Sequence, residues 1–373
     1  MSDQPVLFKE RSAKNGRKLG FARLNGERAL NALSQAMINA LRVRLAAWAE
    51  DPAIVCVVIE GSGAKAFCAG GDVIALYDSM RAHPGGPNPV AQRFFETEYR
   101  LDYQIHTYPK PVLCWGHGIV MGGGLGLMAG ASHRVVTETS HIAMPEVTIG
   151  LYPDIGATWF LNRMPGRVGL FLGLTGAALN AGDALFLGLA DYFIRAEHRR
   201  EIDTALAAVD WSEHPERNRS LLARLLRGFS ETSRSACPES NVLAHRDLID
   251  QVTDHYCLED IIARLQPHAA DDQWLSGSVN ALVEGSPTSA RVIFEQHRRG
   301  RFLSLKEAFM REIIMSVQFT RHHDFAEGIR ALLIDRDRKP RWRPASLTEV
   351  TEASVEIYFT PPHDLLTNPL DGL

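Results

Sequence analysis

The chain has 373 residues, with 40 Lys plus Arg against 44 Asp plus Glu and a formal charge of -4. Its 45% apolar and 23% charged content is that of a globular protein with enough chain for a full core. The near balance of charge argues against a protein built to grip nucleic acid, and five cysteines with no CxxC pair or Cys/His ladder argue against a disulfide framework or a structural zinc site.

In chain order, Met1 to Glu10 has neither an apolar run before a small-residue cleavage site nor the Arg-rich, acid-poor character of a transit peptide, so a cytoplasmic protein is expected. Leu19 to Leu24 reads as a short extended run. Ser34 reads as an N-cap, followed by Met37, Leu41, Leu45 and Trp48 on one helix face until Asp51-Pro52 ends it. Ile54 to Ile59 is β-branched and apolar on both faces, a fully buried strand. Gly61 to Gly71 reads as a loop, Asp72 to Met80 as a helix, His83 to Pro89 as a breaker and Val90 to His106 as a longer helix.

Pro111 to Ser132 carries no charged residue and is long enough to cross a bilayer. Its seven glycines fit a buried strand at 111–115, a glycine turn and a helix at 122–131 better than a membrane helix, so no membrane association is expected. Short strands are predicted at 134–137 and 142–143. Strands alternating with helices indicate an α/β protein. After about residue 195 the pattern turns polar and helical, which divides the expectation into an α/β part over 1–195 and a mainly helical part over 196–373. In the latter, Ser286-Pro287 opens a helix running to about His297, and Ser304 to Thr320 is another. The proline-rich stretch from Pro340 to Leu373 is expected to lie along the surface.

Three places could carry chemistry. Gly61-Ser-Gly-Ala-Lys-Ala66 follows a strand and has the form of a dinucleotide fingerprint, but the glycines and alanine that come next do not suit the helix that the fingerprint needs. Two glycine turns, Ala69-Gly-Gly-Asp72 and Met121-Gly-Gly-Gly124, each join a strand to a helix; they either permit tight packing or present backbone N–H groups as a two-donor oxyanion hole. Among the acids, Glu146 stands amid apolar residues, where a carboxylate needs a reason. On the residues alone Asp154 reads rather as the cap of a helix over 156–163, and Glu98 rather as part of a solvated helix face. There is no GxSxG elbow, Walker loop, HExxH motif or histidine pattern for a metal, and Cys68 reads as a small packing residue.

Lys65-Ala-Phe-Cys-Ala-Gly-Gly-Asp72, Gly118-Ile-Val-Met-Gly-Gly-Gly-Leu-Gly126, Ala143-Met-Pro-Glu146 and Ile149-Gly-Leu-Tyr-Pro-Asp-Ile-Gly156 together resemble the crotonase superfamily. The likeness extends to Leu174-Thr-Gly176, Ser286-Pro-Thr-Ser289, His323 to Asp335 and Pro340 to Pro344, and within the superfamily it is nearest to the 3-hydroxyisobutyryl-CoA hydrolases. The resemblance implies a spiral of ββα units with a helical C-terminal region and a small-molecule acyl-CoA thioester substrate, whose CoA is part of the substrate, so that no separate cofactor or metal is expected. It places the oxyanion donors on the N–H groups of Gly71 and Gly123, the reacting carboxylate on Glu146, and further substrate-contacting acids on Asp154 and Glu98. Enoyl-CoA hydratases use a second glutamate, which falls here at Gly126; hydration needs two acid–base groups, so the glycine favours thioester hydrolysis over hydratase or isomerase chemistry. Tyr152 stands where these hydrolases commonly carry phenylalanine. Family members often form trimers, and the extra helical region could block that surface, so a homo-oligomer is an open expectation.

Overall fold

The computed structural model describes residues 4–270 and 272–373, which divide into two compact units, each built from three stretches of chain. The first comprises Met1–Gly71, Leu101–Ile142 and Leu179–Leu243; the second comprises Asp72–Arg100, Ala143–Ala178 and Ala244–Leu373.

The first unit holds a six-stranded sheet. Its strands are β1 (Val6–Ser12), β2 (Lys18–Leu24), β3 (Ile54–Gly61), β5 (Val112–Gly116), β7 (His133–Val136) and β9 (Tyr192–Phe193), in that spatial order. β1 and β2 form an antiparallel hairpin in which Phe8 pairs with Ala22; every later pairing is parallel. The missing members, β4 (Ala66–Cys68), β6 (Ile119–Met121) and β8 (His141–Ala143), form a second sheet in the order β4-β6-β8. Each long strand is thus followed by a short one in the other sheet and then by helix: β3 and β4 before α2 (Val73–Ala82) and α3 (Pro89–His106), β5 and β6 before α4 (Gly123–Gly130), β7 and β8 before the helical turns from Glu146 onward. This is the expected repetition of ββα units.

Local chemistry accounts for the elements. In α1 (Gln35–Glu50) the Ser34 side chain accepts the Met37 N–H, and Met37, Leu41, Leu45 and Trp48 are buried, as the spacing requires. β3 is buried from Ile54 to Glu60, so it shows no alternation. One face of the sheet, with Leu19, Phe21, Leu113, Trp115 and Val135, packs on Ile202 and Leu206 of the helix Arg199–Ala208 and on Leu222 and Leu226 of the helix Pro215–Ser233. Burying this apolar surface stabilises the unit by about 25 cal/mol per Å².

The second unit is helical. Ser286 caps the helix Pro287–Gly300 and, through its hydroxyl, donates to Asp324 at 2.6 Å. The helix Leu305–Phe319 carries a capping box between Ser304 and Glu307. Aromatic side chains tie the unit together, with Phe95 on Tyr99, Tyr99 on Phe309, Tyr152 on Phe319 and Phe319 on Tyr358.

Two expectations change, and a third gains a strand. Gly61 to Gly71 is not all loop, because residues 66–68 pair with β6. That strand opens where the dinucleotide fingerprint needs a helix, so the loop does not have that fold. The stretch from Pro340 onward includes a helix, Glu352–Phe359, whose Val355 and Tyr358 are buried. Pro111 to Ser132 forms β5, β6 and α4, and no helix among the described residues is long and apolar enough to cross a membrane.

Candidate active site

The glycine turns lie side by side in the first unit. β4 delivers the chain to Gly70 at φ +113°, where a Cβ would stand 3.5 Å from the Met121 carbonyl oxygen and 4.0 Å from the Gly123 nitrogen. Leu33 N–H donates to the Gly70 carbonyl at 2.8 Å, within a parallel bridge between Leu33 and Gly71. The bonds of such a bridge run to the neighbours of the bridged residue, which turns the Gly71 amide away from Leu33. Gly123 is the first residue of α4, so no intrahelical carbonyl takes its N–H. Gly124 lets the two turns approach: a Cβ there would lie 2.3 Å from the Cys68 carbonyl oxygen. Two amides beside a helix N-terminus are suited to developing negative charge. The Cys68 thiol is buried and donates to the Gly70 carbonyl oxygen at 3.6 Å.

The acids lie in the second unit. Glu98 is on α3, Glu146 opens the 3₁₀ turn Glu146–Ile149, and Asp154 lies in the loop before the short helix α5 (Ala157–Phe160). They are 2%, 5% and 5% exposed, so Glu98 is not on a solvated face. Asp154 does not cap α5, whose N-cap is the backbone of Gly156 at φ +86°. Instead Asp154 Oδ2 accepts the Tyr99 hydroxyl at 2.6 Å. Glu98 Oε1 and Glu146 Oε2 are buried and have no hydrogen-bond partner.

These differences separate the acids electrically. Burial, then the charge of Asp154, pushes Glu98 well above the usual carboxylate range. Burial, then Asp154 and then Glu98 do the same to Glu146, against the pull of its own backbone hydrogen bond. Asp154 is raised by burial too, but the Tyr99 hydroxyl holds it to about 6. Three carboxylates close enough to repel cannot all ionise, and the one with a donor takes the charge. Asp154, the one acid of the three with a hydroxyl donor, is therefore the one that most readily gives up its proton. A cluster of buried carboxyl groups of unequal acidity, two with hydrogen-bonding oxygens that have no partner, is an arrangement for moving protons.

Four further residues join the cluster that residue patterns did not single out as functional. Glu312, fully buried on the helix Leu305–Phe319, accepts the N–H groups of Gly156 at 2.7 Å and Thr158 at 2.9 Å. Ser316, one turn on, meets the hydroxyls of Tyr99 at 2.6 Å and Tyr152 at 2.8 Å. The only local signal is Glu312 and Ser316 at i, i+4 on a helix that otherwise buries Phe309, Ile313 and Phe319. The described residues contain no group of His, Cys, Asp or Glu that could hold a metal ion.

Comparison with known proteins bears on both units. The family model for enoyl-CoA hydratase/isomerase matches residues 19–359. The chain is 37% identical over 343 residues to the mitochondrial 3-hydroxyisobutyryl-CoA hydrolase of Gallus gallus, covering 92% of this chain and 86% of that protein. It is 34% identical to 3-hydroxyisobutyryl-CoA hydrolase 1 of Arabidopsis thaliana, covering 96% and 92%. Among solved structures, a carnitinyl-CoA dehydratase from Mycobacterium thermoresistibile is 36% identical, with both chains covered completely and a TM-score of 0.83. An enoyl-CoA hydratase from Rhodobacter sphaeroides is 35% identical over 96% of this chain and 97% of its own, with a TM-score of 0.81.

Proposed function

This chain belongs to the enoyl-CoA hydratase/isomerase family, and from that premise we propose that it hydrolyses a short hydroxyacyl-CoA thioester, 3-hydroxyisobutyryl-CoA first, to the free acid and CoA. The observation that carries the proposal is the trio of buried acids, of which Asp154 accepts a hydroxyl while Glu98 and Glu146 each keep an oxygen without a partner.

The thioester carbonyl oxygen rests on the N–H groups of Gly71 and Gly123, which stabilise the charge that arrives there when the carbon is attacked. The proton of Glu146 passes to Asp154. The freed Glu146 carboxylate either attacks the carbonyl carbon itself or deprotonates the water that does. The carbon–sulfur bond breaks, and the proton on Asp154 moves to the departing thiolate, so CoA leaves as the thiol and Asp154 regains its charge. Where Glu146 itself attacks, the resulting anhydride is cleaved by one water, for which Asp154 is the base. Each turnover consumes one water and leaves both acids as they began.

The vacant oxygen of Glu98 is suited to bond the substrate hydroxyl. A site that bonds a hydroxyl rejects an acyl group lacking it, because the buried polar group is then left unpaired. Thiol release measured on 3-hydroxyisobutyryl-CoA, 3-hydroxypropionyl-CoA and a plain acyl-CoA tests this: the two hydroxyacyl esters are expected to turn over and the plain ester hardly at all. Glu98→Ala is expected to lower kcat/KM for the hydroxyacyl esters about 10- to 100-fold and leave the plain ester within about threefold. Equal losses on all three esters would remove Glu98 from substrate recognition.

The solved neighbours titled hydratase and dehydratase favour a second reading, addition or removal of water across a carbon–carbon double bond. Gly126 weighs against it: the position lies inside α4, buried, and offers no side chain to exchange a proton. The cytoplasmic placement is likewise proposed, on five cysteines that form no disulfide, as suits a reducing compartment; several relatives carry mitochondrial in their names. Assembly into a homo-oligomer is a proposal that the family's habit supports.

A further inference from the structure

We infer that Tyr99 is a positioning residue, held by Ser316 and Tyr152 in a buried chain of hydroxyls that fixes Asp154 and makes it the member of the acid cluster that carries the charge. The inference rests on the role in turnover given to Asp154 above.

Counting hydrogens sets the direction of the chain between Ser316 and Asp154. Tyr99 has one hydroxyl hydrogen, and it goes to Asp154 Oδ2 at 2.6 Å. The 2.6 Å contact between Tyr99 and Ser316 must therefore be made by the Ser316 hydrogen. Ser316 Oγ can then accept, and Tyr152 lies 2.8 Å away, its one hydroxyl hydrogen set between Ser316 Oγ and the Glu312 carbonyl oxygen. Two hydroxyls, Ser316 and then Tyr99, thus donate in series toward one carboxylate, and each polarises the next. The far end has a second acceptor, because Tyr152 is also 2.7 Å from the Glu312 carbonyl oxygen. When Asp154 takes a proton the chain can reverse: Asp154 donates to Tyr99, Tyr99 to Ser316, Ser316 to Tyr152 and Tyr152 to that carbonyl. Every buried hydroxyl hydrogen keeps an acceptor in both states, so Asp154 gains or loses its proton without stranding a polar group.

Nothing comparable serves the neighbours. The charged and titratable groups facing Asp154 are Glu98 and Tyr99 on α3, Glu146 on its 3₁₀ turn, Tyr152 on its own loop and Glu312 on the helix Leu305–Phe319. No cation is among them. Both tyrosines are held well above their ordinary range by burial and then by Asp154, so their hydroxyls stay protonated as donors. The hydroxyl chain is thus what distinguishes Asp154 from the two glutamates.

The test follows the Asp154 carboxylate directly, by infrared titration of the free protein with Asp154→Asn to assign the band, and in parallel through the pH profile of kcat/KM. The wild-type midpoint is expected near 6, as the acid limb of the profile. Tyr99→Phe removes the donor to the charged form, so the midpoint should rise by about 1 to 2 pH units and the acid limb with it. Ser316→Ala and Tyr152→Phe should give smaller shifts in the same direction, and Ser316→Ala serves alone if Tyr99→Phe does not fold. An unmoved infrared midpoint overturns the inference. A moved midpoint with an unmoved rate profile upholds it, and overturns instead the role of Asp154 in turnover.

Discussion

Glu146→Gln is expected to lower kcat for thiol release by about 10,000-fold, with the Kd for a non-hydrolysed CoA thioether within about threefold of wild type. Glutamine has the shape of the glutamic acid form that burial favours at Glu146, so the fold and the ground-state site persist. What it lacks is the ability to ionise, which the reaction demands as the carbonyl is attacked. Because Glu146 Oε2 has no hydrogen-bond partner, the glutamine nitrogen can stand in its place while the amide oxygen keeps the backbone hydrogen bond. Loss of an interaction that exists only in the transition state shows in kcat and leaves binding almost untouched. Stopped thiol release and isothermal titration of the thioether check the two halves separately. Near-normal turnover would remove Glu146 from the mechanism.

Glu312→Ala is expected to be the most destabilising of the substitutions considered, by roughly 4 kcal/mol. Two buried backbone N–H groups, of Gly156 and Thr158, would lose their acceptor, at about 1 to 3 kcal/mol each, and a cavity would open beside them. Thermal unfolding followed by circular dichroism reads this as a fall in Tm; a Tm within a degree of wild type would show that water replaces the carboxylate without cost. Glu312 also gives stability a pH dependence. Burial raises it from 4.5 to about 8 despite its two backbone donors. The folded state therefore binds its proton more tightly than the unfolded chain does. This contribution is complete below the unfolded value and is lost as pH rises from about 4.5 through about 8. Glu312→Gln, which cannot ionise, should flatten that slope.

The sequence was most legible where a local rule decides the structure. Ser34 followed by Met37, Leu41, Leu45 and Trp48 could only bury one face of a capped helix, and Ser286-Pro287 could only begin one. β4 and β6 escaped because three residues are too few to show a period and each exists through pairing with the other. β1 escaped because most of Val6–Ser12 is partly or fully exposed, so its pairing with β2 leaves little apolar pattern. The helix at 352–359 hid behind the prolines around it.

The same division runs through the candidate site. The two glycine turns and Glu146 stood out because glycine runs between strand and helix, and an acid among apolar residues, are locally unusual. Asp154 and Glu98 each had an ordinary local explanation, and it took the placement of Tyr99 and the burial of α3 to set those aside. Ser316 meets Tyr99 across 217 positions of chain, and no local pattern announces a contact made at that separation. Tyr152 was visible as a single added hydroxyl, whose meaning depends wholly on the partners that folding brings to it.

Thioester hydrolysis in a member of a family described as enoyl-CoA hydratase/isomerase is the reading on which the rest depends. The most direct measurement is one preparation of the purified protein assayed for thiol release from 3-hydroxyisobutyryl-CoA and for hydration of crotonyl-CoA. The account predicts rapid thiol release with kcat/KM at least about 100-fold above any hydration, because the buried acids serve the thioester and Gly126 leaves the double bond without its second acid. Rapid hydration with no thiol release would contradict it, and would mean that another buried acid takes the place left vacant at Gly126.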